Sequence, residues 1–273
     1  MSAARRAVVV SSIFLLLTSC GSARARGVVV AGSTSVQPYA ELLAEEYEHL
    51  YGGVVDVQGG GSSAGITAAL SGAADIGMSS RELKEGEGAL RQVEIARDGL
   101  AVIVHPSNPV SDLTPEQVRA LYAADAVNWK EFGGPDAAIH IIAREEGSGT
   151  RSAFEELLMA GRRITPKAIV QNSNGQVTHM VAGDERAIGF ISLGLVDGTV
   201  KALRLGGAEA TRDNVANGTY ALFRPFLFVL REDCPEETVR FADFALSAAG
   251  QRLLAAEGLV TAEWMKQAAG GRP

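Results

Sequence analysis

The sequence predicts an α/β protein of two lobes built on mainly parallel sheets. Three observations predict it. Short apolar runs alternate with amphipathic helical segments along the 273 residues, which is the pattern of strand–helix–strand units. Thirty-one glycines exceed what a helical bundle needs and suit many tight turns. Two long strands, one near 100–108 marked by prolines and one near 220–231 marked by an arginine, divide the chain, so the carboxy-terminal segment is expected to return to the first lobe. With 47% apolar and 21% charged residues, the composition is globular.

Residues 1–20 stand apart as a signal peptide. Arg5 and Arg6 give a positive start, residues 7–17 are apolar apart from Ser11 and Ser12, and "LTSC" closes the run at Cys20. The run is too short to span a membrane and fits a signal segment. Its ending resembles the bacterial lipobox, in which the cysteine is acylated and becomes the mature first residue. The alternative is an ordinary signal peptide with an incidental Cys20. If Cys20 carries lipid, Cys234 has no partner in the chain, and no disulfide framework is implied. Residues 21–27 read as a tether. Removing residues 1–20 takes away two arginines and no acid, moving the formal charge from −7 to −9. No basic stripe appears, which argues against nucleic acid as a partner. An anion bound here is held by local groups, not by an overall positive field.

The elements follow in order. "VVVAG" (28–32) is a buried strand. The next segment carries Val36, Tyr39, Leu42, Leu43, Tyr47 and Leu50 at helical spacing, with Pro38 in the first turn, where a missing N–H costs little. Tyr39 and Tyr47 fall on its apolar stripe. A strand at 54–58, a glycine turn, a short helix near 66–70 and a strand in "ADIGMSS" (74–80) come next. "GLAVIVHPSNPV" (99–110) is the first long strand. A helix at 113–123 has Thr114 as its cap and Pro115 at its first position. Strands are expected at 138–143, 168–173, 187–194 and 200–205, then the long apolar 220–232 and closing helices over 236–259. The first lobe takes 28–104 with 226–268, and the second takes 105–225.

Three segments share one design: strand, small hydroxyl-bearing turn, helix. They are "AGSTS" (31–35), "QGGGSSAG" (58–65) and "REEGSGTR" (144–151). Each places Ser or Thr at a helix start, where the first backbone N–H groups lack partners and the helix carries partial positive charge. One such turn is ordinary capping. Three beside glycine favour convergence on one anion. Arg144, where a strand should end, can grip an oxyanion with two parallel hydrogen bonds; the alternative is a surface salt bridge with Glu145.

Other chemistries fare worse. "REEGSGTR" lacks the lysine of a P-loop. "GSSAG" (61–65) matches the G-x-S-x-G nucleophile elbow and keeps an exported serine hydrolase open, with Ser63 as nucleophile and His105, His140 or His179 as base. The four histidines form no H-E-x-x-H and sit near no cysteine pair, so no metal site is supported, and no cofactor is expected. His179 reads as a helix-surface residue.

Taken in order, "GSTSVQP", "VQGGGSSAGI", "ADIGMSSRELK", "REEGSGTRSAF", "IGFISLG" and "GTYALFRPFLFV" resemble the phosphate-binding proteins of Pst-type ABC importers, over residues 28–260. The resemblance implies a two-lobed periplasmic-binding-protein fold of type II-like form, with a two-strand hinge and a ligand cleft between the lobes. It implies an extracytoplasmic, lipid-anchored receptor that is not an enzyme. Its ligand is inorganic phosphate, and its partners are the membrane permease and ATPase of an importer. Thr34 and the backbone of Ser35 match the family's first helix start, and Ser62 its second turn. Arg144, Ser148, Gly149 and Thr150 match its guanidinium and third helix start. Glu146 falls where well-described members carry an aspartate that pairs with that arginine.

In one respect the chain departs from the pattern. Ser80 stands where those members carry a second aspartate, the acceptor for the proton on phosphate. A serine can accept but does not repel a fully ionised anion. Glu146 or Asp75 are the alternative acceptors, with Asp75 also read as bracing a strand end, and Arg81 adds charge to the site or faces solvent. An acceptor left facing sulfate costs roughly 1–3 kcal/mol. The same fold binding molybdate, tungstate or sulfate therefore stays open beside phosphate.

Overall fold

A computed structural model describes residues 27–262 and 264. The expected signal peptide, Cys20 and tether residues 21–26 lie outside them. The chain runs β1 (Val28–Gly32), α1 (Gln37–Tyr51), β2 (Val55–Gly59), α2 (Ser62–Ser71), β3 (Ile76–Ser79) and the long β4 (Arg91–Val104). Then come β5 (Asp112–Leu113), α3 (Pro115–Tyr122), β6 (His140–Arg144), α4 (Gly149–Leu158), β7 (Ile169–Gln171), α5 (Asn174–Ala182) and β8 (Ala187–Ser192). The last part holds β9 (Lys201–Ala202), β10 (Arg204–Leu205), α6 (Arg212–Ala216), β11 (Phe223–Leu230), α7 (Glu236–Leu246) and α8 (Ala248–Ala256).

Local chemistry sets the helix limits. Pro38 sits in the first turn of α1, and Gly52 ends it in a left-handed conformation. Thr114 and Gln117 form a reciprocal capping box at the start of α3. Tyr39, Leu43 and Tyr47 line the buried face of α1, as their spacing predicts. The strand at 200–205 is instead two short pieces: β9 pairs with β4 and β10 with β5.

The strands form one curled sheet in the order β2-β1-β3-β11-β4-β8-β6-β7. Pairing is parallel within each lobe, in β2-β1-β3 and in β8-β6-β7. It turns antiparallel where the two long strands cross. Strand β4 begins eight residues earlier than the apolar run at 99 suggests, because Arg91, Gln92 and Glu94 occupy its exposed positions. It lies beside β11 through residue 99 and beside β8 from residue 100, so it changes lobes between Gly99 and Leu100.

Each lobe has its own core. Val30, Leu43, Ile76, Met78, Phe226, Phe228 and Phe241 fill the first. Leu100, Val102, Tyr122, Trp129, Phe154 and Phe190 fill the second, where the Phe154 and Phe190 rings stack 4.0 Å apart. After α8 the chain crosses again. Val260 and Arg97 exchange backbone hydrogen bonds of 2.9 and 2.8 Å. Trp264 then packs on the second core, with the Arg212 guanidinium 3.9 Å from its ring centre. Among the described residues, no helix is long and apolar enough to cross a membrane. Cys234 is a free thiol against the first core.

Candidate functional site

Between the lobes, five turns from separate parts of the chain meet. The first lobe contributes the β1–α1 turn (Ser33, Thr34, Ser35), the start of α2 (Ser62) and Ser80 just past β3. The second contributes Arg144 at the end of β6, the start of α4 (Ser148, Gly149, Thr150) and the start of α5 (Asn174). Ser33, Ser35, Ser62, Ser80, Arg144, Ser148, Thr150 and Asn174 are all buried, while Thr34 is half-buried. Helices α1 and α2 begin without a side-chain cap on the N-cap residue, but the α1 start is already engaged, contrary to the expectation of unpaired amides there. The Ser35 amide donates to Ser33 Oγ at 3.2 Å, and the Val36 and Gln37 amides donate to the Ser33 carbonyl at 3.1 and 2.9 Å. Helix α4 is capped by Ser148 Oγ, which accepts from the Arg151 amide at 3.2 Å; this leaves the Gly149 and Thr150 amides at its tip.

The lobes touch through these groups. Arg144 Nη2 donates to Thr34 Oγ1 at 3.1 Å. Ser35 Oγ lies 2.9 Å from Thr150 Oγ1 and accepts from Asn174 Nδ2 at 2.9 Å. The Ser63 amide donates to the Gly147 carbonyl at 3.2 Å. Gly149 is packed so closely that a β-carbon on it would stand 2.2 Å from Ser62 Oγ and 2.6 Å from Ser80 Oγ. Within the first lobe, Ser33 Oγ donates to Ser80 Oγ at 2.9 Å, and the Ser80 amide donates to Ser62 Oγ at 3.1 Å.

Arg144 is paired yet buried, 1% exposed. Glu145 takes its Nε–Nη2 edge in a fork, both contacts 3.0 Å. The Gln171 and Asn172 carbonyls accept from the same edge at 3.3 Å. Nη1 is buried with no hydrogen-bond partner among the described residues. So the Glu145 pair exists, but as a half-buried brace that orients a buried guanidinium, not as a surface bridge.

The expected acid at Glu146 needs correcting. Glu146 is exposed on the turn, and the carboxylate on Arg144 belongs to Glu145. The residue directly after the strand end turns back onto the guanidinium, and the next one faces solvent. Asp75 braces a strand, its Oδ2 accepting from the Val29 amide at 2.9 Å. Arg81 is buried and held in a fork by Glu87, at 2.8 and 3.0 Å; that contact holds the Glu87 carboxyl below its ordinary range. Ser63 Oγ, the nucleophile of the hydrolase reading, accepts from Arg81 Nη2 at 3.3 Å. The histidines pair elsewhere: His105 with Ser107, and His140 with Asp184.

Three participants escaped the sequence reading: Arg224, Asp98 and Asn174. Arg224 on β11 and Asp98 on β4 face each other across the crossing strands, with Arg224 Nη2 3.1 Å from Asp98 Oδ2. The same Nη2 donates to Ser35 Oγ at 3.1 Å. Both side chains are almost wholly buried. Burial pushes the Asp98 carboxyl up and the Arg224 guanidinium down, each opposed by the other's charge. The signal was present in "ALFRPFLFVL" and "IARDGLAVIV": a charge inside an apolar strand needs a buried counter-charge. Asp98→Ala leaves Arg224 buried alone. We expect it to lower the unfolding free energy by about 3–5 kcal/mol, read as a lower urea midpoint; an unchanged midpoint would refute the pair's structural role.

Chemically, the cleft offers hydroxyls, helix-start amides and one guanidinium edge, the equipment for a dehydrated oxyanion. Known proteins share this architecture. A family model described as a PBP superfamily domain matches residues 18–249. The phosphate-binding protein PstS of Bacillus subtilis is 31% identical over 210 residues, 74% of this chain and 70% of its own. A phosphate ABC transporter substrate-binding protein from Clostridium perfringens, solved with bound phosphate, is 43% identical with a TM-score of 0.84, over 86% of this chain and 99% of that one. An ABC-type phosphate transport receptor from Vibrio cholerae is 40% identical with a TM-score of 0.73, over the same shares, 86% and 99%.

Proposed function

The chain belongs to the PBP superfamily, among the phosphate-binding proteins of Pst-type importers, and from this premise we propose that it captures inorganic phosphate between its lobes and delivers it to an ABC importer. The observation that carries the reading is the buried Arg144. Its Nη1 has no partner among the described residues, its Nη2 reaches across the lobes to Thr34 Oγ1, Ser35 and Thr150 meet across the same cleft, and Ser62 and Ser80 pack against Gly149. An anion there exchanges water for the Gly149 and Thr150 amides, the surrounding Ser and Thr hydroxyls, and the guanidinium. No bond is made or broken. Closure brings the lobes together about β4 and β11, and delivery requires them to part again.

Ser62 and Ser80 supply the acceptor that a protonated phosphate oxygen needs. Each hydroxyl has one proton and two lone pairs, so the pair keeps accepting capacity after its internal bonds are made. Isothermal titration with phosphate should give saturable heat, and sulfate, molybdate and tungstate should fail to displace phosphate at equal concentration. Absence of heat with phosphate, or preferential binding of another oxyanion, would overturn the reading. The receptor works outside the cytoplasmic membrane, tethered by lipid on Cys20. Cys20→Ser should move the protein from the membrane fraction to the soluble extracytoplasmic fraction; an unaltered protein already found soluble would refute the tether.

A further inference from the structure

The hydrogen bonds around Ser35 fix the direction of a proton. A serine hydroxyl donates once and accepts twice. Ser35 Oγ has three close partners: Asn174 Nδ2 at 2.9 Å, Arg224 Nη2 at 3.1 Å and Thr150 Oγ1 at 2.9 Å. The guanidinium can only donate. The Asn174 amide is oriented by its own oxygen, which accepts from the Ser192 backbone N–H at 3.3 Å, so its nitrogen faces Ser35. Both lone pairs of Ser35 are thereby taken, and its single proton must go to Thr150.

Thr150 Oγ1 accepts that proton and keeps its own. We propose that Arg224 and Asn174 are positioning residues that act through Ser35 to make the Thr150 hydroxyl a donor toward the bound anion. This face of the cleft then receives only an unprotonated oxygen. The protonated oxygen of hydrogen phosphate is directed to the Ser62–Ser80 face, where one lone pair remains after the contacts with Ser33, with the Ser80 amide and between the two hydroxyls. Asp98 completes the device by holding the Arg224 guanidinium in register with Ser35. The chain of contacts spans both crossing strands, the start of α1 in one lobe and the starts of α4 and α5 in the other. It assembles only when the lobes are together, so the proton direction is set at closure.

The inference rests on the cleft being a phosphate site, and the test separates the two. Phosphate affinity is measured by titration for Asn174→Leu, Thr150→Val and the double variant. Asn174→Leu frees a lone pair on Ser35, lets Thr150 turn its proton inward, and should raise Kd about tenfold. With valine at 150 there is no proton to direct, so the same change should cost less than twofold, the coupling that a double-mutant cycle isolates. Losses that multiply in the double variant, or no loss from Asn174→Leu alone, would overturn the relay. Ser35→Ala should show the same coupling to Thr150→Val and serves if Asn174→Leu does not fold. Arg224→Lys keeps a donor for Ser35 and a cation for Asp98, and should stay within threefold of the unaltered protein; a larger loss also counts against the relay. Failure of the phosphate reading would appear differently, as no heat in the unaltered protein.

Discussion

Arg144→Ala should raise the phosphate Kd roughly 100- to 1,000-fold. The reasoning runs through burial. Hydrogen bonds to a charged group contribute about 1.5–3 kcal/mol each, and removing one member of a buried charge pair costs about 3–5 kcal/mol because the other is left uncompensated. Every 1.4 kcal/mol is about tenfold in affinity. Here the loss is double. The anion loses Nη1, and Glu145, half-buried beside the cleft, changes from a brace into a repelling neighbour. Arg144→Lys restores the charge but not the fork that holds Glu145 and Thr34 together, so it should recover only part of the affinity. Titration calorimetry on the three proteins checks this, with circular dichroism to establish that each is folded. An Arg144→Ala variant that binds phosphate within a few-fold of the unaltered protein would remove the guanidinium from the site.

Gly149→Ala should separate closure from contact. The added methyl would stand 2.2 Å from Ser62 Oγ and 2.6 Å from Ser80 Oγ, both in the opposite lobe. Those hydroxyls are tied to each other and to Ser33, so they cannot swing aside without breaking the network. Overpacking of this kind costs about 1–3 kcal/mol, and it falls on the closed form alone. In the open form alanine is a better helix former than glycine, by up to about 1 kcal/mol. The variant should therefore be as stable as the unaltered protein without phosphate, and bind phosphate roughly 10- to 100-fold more weakly. Small-angle scattering should show no compaction on adding phosphate at concentrations that saturate the unaltered protein. Normal affinity with normal compaction would mean that the lobes close by a different path.

These two residues are legible in the sequence because their signal is local. A strand, a glycine-hydroxyl turn and a helix are consecutive in the chain, and the unpaired amides at a helix start need no distant partner to exist. The cores were legible for a similar reason: Tyr39, Leu43 and Tyr47 repeat at the helical period. What stayed hidden depends on residues far apart in sequence. Ser35 meets Asn174 across 139 positions and Arg224 across 189, and no spacing rule joins them. Glu145 and Glu146 are chemically equal neighbours, so only the turn's backbone decides which one reaches Arg144. The early start of β4 was obscured by charged residues on its exposed side, which read as loop when the partner strand is unknown.

Each buried arginine among the described residues carries its own acid: Glu145 for Arg144, Asp98 for Arg224 and Glu87 for Arg81. The interior is thus nearly charge-balanced before the guest arrives, and attraction comes from oriented dipoles and hydrogen-bond geometry at contact range. Dissolved electrolyte weakens long-range fields over about 8 Å at physiological strength but penetrates little between groups this deeply enclosed. Grip strength is therefore decoupled from the saltiness of the surroundings, a useful property for a receptor facing a medium whose ionic content the cell does not control.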